Sequence, residues 1–278
     1  MADLRDIVAR HNRSQDALVA TFESHLRDIT MRAQGRVIAR LQARLAITDG
    51  VIDSTAGNMQ ILRNAGRLFM AEMDKAGYQR LVDAFVMEFR GTLPFLQETL
   101  ELLGEQAGQK WGTDLGFTTR DLSLLGATQA NTVAALTGAI EAVAGQAVTR
   151  GLFGVAGLRF GSLVEMLTAR FETSIGKART IADTGMSTFY RTASERSFQI
   201  IAKDLPAQVL KYRFSGPADL LERPFCRALT LAGKSYTREQ IDAMDNGQLP
   251  NTMITVGGWN CRHAWNLSVS DLTLQEAA

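Results

Sequence analysis

A chain of 278 residues, 46% hydrophobic and 21% charged, can bury a core without covalent staples, which excludes wholesale disorder. Lys and Arg number 30 against 29 Asp and Glu, a net charge of +1, so a generally basic nucleic-acid binder is excluded, though a local basic patch is not. Two cysteines, Cys226 and Cys261, exclude a disulfide framework and suit a reducing compartment. The opening Met1-Ala2-Asp3-Leu4-Arg5 and the lack of a long uncharged apolar run predict neither a signal peptide nor a standard transmembrane helix.

Five prolines and long periodic stretches predict a mainly α chain. Residues 3 to about 46 read as helix, interrupted near His11-Asn12-Arg13 and capped again by Ser14, with Leu18, Phe22, Ile29, Ala33, Val37 and Leu41 on one stripe. Asp49-Gly50 marks a stop. A second helix is expected over about 51 to 75 and a third over about 78 to 103, kinked or split at Pro94, where an amide donor is missing. Glycines 104, 108, 112 and 116 punctuate a loop. Leu122 to Val164 carries only three charges, Glu141, Arg150 and Arg159, among nine alanines and seven glycines. It predicts a helix over about 120 to 149, then a flexible joint at 151–157 with Gly151, Gly154 and Gly157 as its hinge. Further helices follow over about 160 to 185 and 187 to 203.

After Pro206 the period changes. Leu210, Tyr212 and Phe214 alternate with Lys211 and Arg213, as on a half-buried strand. Thr237-Arg238-Glu239-Gln240 has the spacing of a capping box and opens a short helix ending at Asp245-Asn246-Gly247. Residues 252–256 read as a strand, Gly257-Gly258 as a turn, and Trp265, Leu267 and Val269 as one face of another strand. The division expected is an N-terminal helical region (1–118), a central helical region (119–205) and a small C-terminal α/β unit (206–278) with a short antiparallel sheet.

This last unit holds Arg223-Pro224-Phe225-Cys226, then the capped helix, then Gly257-Gly258-Trp259-Asn260-Cys261-Arg262-His263, with Trp265 as the following aromatic. The order resembles the C-terminal region of phage minor head proteins of the phage-Mu head-morphogenesis type, over about 60 residues. Ala178 to Thr184 loosely resembles the helix that precedes this region in the family. The chain departs from the family there, with Asp183-Thr184-Gly185 where Arg-Thr-Glu is common. The resemblance implies a virion component made in the bacterial cytoplasm. It would lie at the portal vertex or inside the capsid and contact portal or major capsid protein, and packaged DNA, in several copies around a symmetric vertex. Its role would be head morphogenesis or genome packaging and delivery. The alternative it leaves open is an ejected protein that leaves with the genome and meets the host envelope, the one setting in which membrane contact is expected.

The residues themselves leave further readings open. Cys226, Cys261 and His263 are soft donors, but zinc wants four ligands and a fourth is found only in Asp219, a poor candidate. A Cys261–His263 pair on one strand face could be an activated nucleophile, with no third group to orient it. The reading adopted is buried apolar packing, with no metal, no cofactor and no enzyme activity expected. Arg223, Arg227 and Arg262 lie near Asp219, Glu222 and Asp242, so loop-tying ion pairs are preferred over contact with DNA phosphate. Arg32, Arg36, Arg40 and Arg44 form a four-residue-spaced row with no acid between Asp28 and Asp49. They face either a partner, DNA or protein, or acids supplied by the next helices. The charge-poor stretch at 122–164 is read as buried in a bundle or interface, with a membrane-active hairpin as the other reading.

Overall fold

The computed structural model describes residues 4–155, 158–203 and 211–268, the side chains of 143–155 excepted. It is 72% helical, with long N-terminal and central helices and a small C-terminal region bearing a short antiparallel sheet. In chain order come α1 (Leu4–Arg44), a hairpin of β1 (Ile47–Thr48) and β2 (Val51–Ile52), α2 (Ala56–Arg63), α3 (Ala65–Lys75), α4 (Tyr78–Met87) and α5 (Leu93–Gln106). Then follow α6 (Thr119–Val155), α7 (Phe160–Ala202), β3 (Lys211–Ser215), α8 (Pro224–Ala232), β4 (Ser235–Thr237), α9 (Arg238–Asp242), α10 (Thr252–Thr255) and β5 (Ala264–Leu267).

These elements form two compact units, each discontinuous in sequence. One draws on Met1–Leu18, Met87–Asn131 and Asp183–Ala278; the other on Val19–Val86 and Thr132–Ala182. Helices α1, α6 and α7 each give a segment to both, so the first unit takes residues from all three sequence regions.

In the second unit the stripe on α1 is buried as expected, with Phe22, Leu26, Val37 and Leu41 at 0–2% exposure or close to it. Phe22 meets Phe85 of α4 at a ring distance of 4.5 Å, and Phe69 of α3 stacks on Phe171 of α7 at 4.1 Å. Tyr78 donates its hydroxyl to the carbonyl of Leu136 at 2.9 Å, so its apolar ring and polar tip are both satisfied. Asp49-Gly50 does more than stop a helix. Both residues have positive φ, 53° and 77°, the geometry of a two-residue hairpin turn, and they pair Ile47 with Ile52. The second helix therefore starts at Thr55, whose hydroxyl accepts the Asn58 amide, and not at 51. Residues 158–160 extend the hairpin through Ile52 N to Leu158 O (3.0 Å) and Phe160 N to Gly50 O (2.9 Å).

In the first unit α1 runs unbroken through His11-Asn12-Arg13, against the expected interruption. His11 is buried and stacks on Tyr190 at 3.9 Å, and Gln15 donates to Asp183 Oδ1 and Ser187 Oγ. Polar residues thus continue the buried stripe where an apolar pattern lapses. Pro94 does split its helix: a 3-10 turn at Glu88–Thr92 precedes α5, with the proline in the first turn. At the start of α6, Asp121 accepts from Thr118 and, at 2.6 Å, from Arg196 Nε. The Thr118 hydroxyl and amide, then the Arg196 charge, hold its carboxyl down at about 2.

Two expectations along the central helices are corrected. α6 continues as helix through Gly151 and Gly154 to Val155, so those two glycines are helical and not a joint; Gly157 lies outside the described residues. α7 is likewise continuous across 185–187. No helix among the described residues is long and apolar enough to cross a membrane. Leu125, Leu136 and Ile140 of the charge-poor stretch are buried, while Leu122 and Leu124 are exposed.

The three-stranded sheet of the first unit has the order β4-β3-β5, antiparallel throughout, with Tyr212 opposite Tyr236 and Phe214 opposite Trp265. The expected strand at 252–256 is instead the short helix α10. Its β-branched residues resemble a strand pattern, but Asn251 turns the chain with φ of 62° and its carbonyl accepts from the Thr255 amide at 2.9 Å, closing a helical turn, while Thr252 Oγ1 donates back to the Met244 carbonyl. Val269 lies outside the described residues.

Candidate functional site

The residues of the C-terminal sequence signature converge on one buried knot in the first unit. Pro224 occupies the first turn of α8, where its missing amide costs nothing, and the same turn presents Cys226, two residues on, at 2% exposure. Cys261 and His263 come from the loop leading into β5, at 4% each. Cys226 Sγ lies 3.8 Å from Cys261 Sγ, and Cys261 Sγ lies 3.8 Å from His263 Nδ1. The three potential ligand atoms are all within 4.8 Å of one another. His263 turns its other nitrogen to Glu222 Oε1 at 3.1 Å, and the Thr230 hydroxyl reaches the same oxygen at 2.6 Å. The imidazole ring stacks on Phe214 of β3 at 4.8 Å.

The glycines fit closely around this knot. A Cβ on Gly257 would fall 2.2 Å from Cys226 Sγ, and one on Gly216 would fall 2.3 Å from the His263 ring. The Gly257 amide donates to Cys261 Sγ at 3.3 Å, and its carbonyl accepts from Arg223 Nη1 at 2.7 Å. Gly258 has φ of 88°, and a Cβ there would strike Gln248. Just before them Val256 has φ of 53°, a strained conformation for a β-branched residue, and Asn260 follows at 53° while donating its amide to Thr184 Oγ1 of α7. Backbone strain is thus concentrated in the loop that presses against the thiols.

Arg191 of α7, absent from the residues singled out in the sequence, holds this loop. It is 5% exposed and donates Nε to the His263 carbonyl (3.0 Å), Nη1 to the Ile254 carbonyl (3.4 Å) and Nη2 to the Cys261 carbonyl. Burial lowers the pKa of its guanidinium, and Cys261, Asp183 and Cys226 act against that. The Cys226 thiol bonds to Cys261 and, with His263 and Arg191, favours the thiolate of Cys261 in spite of burial, so the Cys261 thiol is shifted down. The same bond to Cys261, with burial, shifts Cys226 up. Two thiols, an imidazole with a carboxylate behind it, and a cation nearby can bind a soft metal ion, or can polarise one sulfur. A cavity of about 750 Å³ in this unit is walled by Val8, Leu103, Arg213, Phe214 and Gly216 among others, and neither thiol nor imidazole lies on it.

The other expected residues have plain places. Arg262 Nη2 meets both oxygens of Asp219 at 2.7 Å, which holds that carboxyl below its ordinary value; Arg227 is exposed. Trp265 is 3% exposed, edge-on to Phe214 and Tyr236, and donates Nε1 to the Thr252 carbonyl at 3.1 Å. Phe225 is half-buried on α8. In the second unit Arg32, Arg36, Arg40 and Arg44 are all exposed on α1. Arg36 Nε and Arg40 Nη1 meet the buried Glu72 of α3 at 2.9 and 3.1 Å, and Lys75 joins at 3.2 Å. Burial alone would raise the pKa of Glu72, but Lys75, Arg40 and Arg36 overcome it and hold the carboxyl down. Arg32 and Arg44 make no ion pair among the described residues. The row is thus divided between an acid from a neighbouring helix and open solvent.

No protein-family model, no curated protein and no solved structure matches the chain.

Proposed function

We propose that the chain is a structural minor head protein of a tailed phage, acting at the portal vertex in head morphogenesis or genome packaging. The observation that carries this reading is the convergence of the signature residues. Arg223, Cys226, Gly257, Cys261 and His263 are spread over about forty positions, yet they meet in one knot, and Trp265 packs on the Phe214 ring that covers it. The resemblance therefore rests on a set of mutually dependent positions and not on scattered matches. The tight closure of the knot, with both thiols and the imidazole at 4% exposure or less, favours a part whose residues serve shape over one that turns over substrate.

Apolar side chains stand in solvent on the same small region: Leu220 and Leu221 before α8, Leu231 at its end, and Trp259 in the strained loop. A partner protein of the head would cover such groups. Arg32 and Arg44 offer a second face, to an acidic surface or to packaged DNA.

The test uses particles assembled from the genome that encodes the chain. Gradient-purified heads are expected to contain it in a small fixed copy number, and its deletion is expected to leave heads that are malformed or empty. Fully infectious particles lacking the chain would overturn the reading.

A further inference from the structure

We propose that Cys226, Cys261 and His263 bind a zinc ion through their two Sγ atoms and Nδ1, with a water molecule in the fourth position. The site is independent of the head-assembly reading and would stand if that reading failed.

The argument begins with distances. Two Zn–S bonds of about 2.3 Å meeting at a tetrahedral angle place their sulfurs about 3.8 Å apart. Cys226 Sγ and Cys261 Sγ are separated by 3.8 Å. A Zn–S and a Zn–N bond span about 3.6 Å, and Cys261 Sγ to His263 Nδ1 is 3.8 Å. Three donors within 4.8 Å of one another are arranged as one face of a coordination tetrahedron. A disulfide would need the sulfurs about 2.05 Å apart, so the present separation suits a shared ion and not a bond.

The surroundings match as well. A zinc-binding histidine commonly gives its second nitrogen to a carboxylate, which fixes the ring and raises its basicity. His263 does this with Glu222, itself held by Thr230. Thiolates bound to metal are stabilised by backbone N–H donors, and Gly257 supplies one to Cys261. That approach requires glycine, since a Cβ would collide with Cys226 Sγ. Arg191 ties down the carbonyls of Cys261 and His263, which fixes the backbone that presents two of the donors. Two thiolates and an imidazole are soft to intermediate donors, which select zinc over magnesium or calcium.

The test uses the full chain, made in zinc-supplemented cells and purified without chelator. Elemental analysis is expected to find one zinc per chain. Removing it should lower the thermal midpoint, and cobalt added to the stripped chain should give sulfur-to-cobalt charge-transfer bands and intense tetrahedral d–d bands. Cys226→Ser and His263→Gln should each lose the metal. If a variant fails to fold, the cobalt spectrum of the unaltered chain still decides, because those bands require cysteine ligation. A metal-free chain whose two thiols titrate freely and give no cobalt bands would overturn the proposal. So would a Cys226–Cys261 disulfide found in the reduced-cytosol product by mass.

Discussion

The two units compensate a buried charge in different ways. In the second, a carboxylate is buried: Glu72 lies inside, and Arg36, Arg40 and Lys75 reach it from the surface with their own side chains about half exposed. In the first, a cation is buried: Arg191 is surrounded by three backbone carbonyls, with two thiols nearby. The difference teaches where rigidity is needed. Long flexible cations around one acid can be rearranged or lost singly, because water solvates whatever is released. A guanidinium that donates to the carbonyls of residues 254, 261 and 263 fixes backbone, and nothing else can take its place.

Experiments can break this contrast at either end. The largest effect is expected for Arg191→Met, which leaves two or three buried carbonyls without donors at about 1–3 kcal/mol each. Loss of about 4–6 kcal/mol should appear in chemical denaturation of the first unit, whereas a loss under about 1 kcal/mol would mean the carbonyls find other donors. Trp265→Ala should cost about 3–5 kcal/mol, since the ring fills the space between Phe214 and Tyr236; a near-zero change would show that it is not core.

His11 gives a pH-dependent term in the same unit. Burial, then the nearby Arg191 charge, push its pKa down to about 4 from 6.5. The folded state therefore favours the neutral ring. Its contribution is complete above about pH 6.5 and is lost as pH falls toward 4, by at most about 3 kcal/mol. His11→Phe should flatten stability over that window, and an unchanged slope between pH 4 and 6.5 would assign the loss elsewhere.

The smallest folding effects belong to the second unit, and they separate two roles within one row of arginines. Arg36→Gln with Arg40→Gln should weaken that unit modestly and salt-dependently, because Glu72 loses its partners. Arg32→Gln with Arg44→Gln should leave stability unchanged and, on the head-assembly role proposed above, reduce incorporation into heads. Equal incorporation by both pairs would remove the row from partner contact.

Much of this was legible in the sequence where a single local rule decides. The α1 stripe, the division at Pro94, the capping box at Thr237 and the pairing face of Phe214 and Trp265 all follow from period or from one residue's covalent chemistry. The misreadings share a cause: tertiary partners overrode a local pattern. His11 looked like a break because the ring it stacks on lies 179 positions away in the chain, at Tyr190. Residues 252–256 looked like a strand because their β-branched run shows, while the turn at Asn251 that winds them does not. Arg191 could not be found at all. One arginine in a long polar helix carries no mark of the three carbonyls it meets. Nor could the sequence show that Cys226, separated by 35 residues from Cys261, sits at a distance an ion can bridge.

The order of synthesis gives the Arg191 arrangement a last consequence. α7 leaves the ribosome before residues 254–263 exist, so for some sixty residues of elongation its guanidinium has no carbonyls to meet. The first unit cannot close until nearly all of the described chain has been made. A premature stop near 250 should therefore produce a nascent chain that chaperones and proteases recognise, and not a smaller working part.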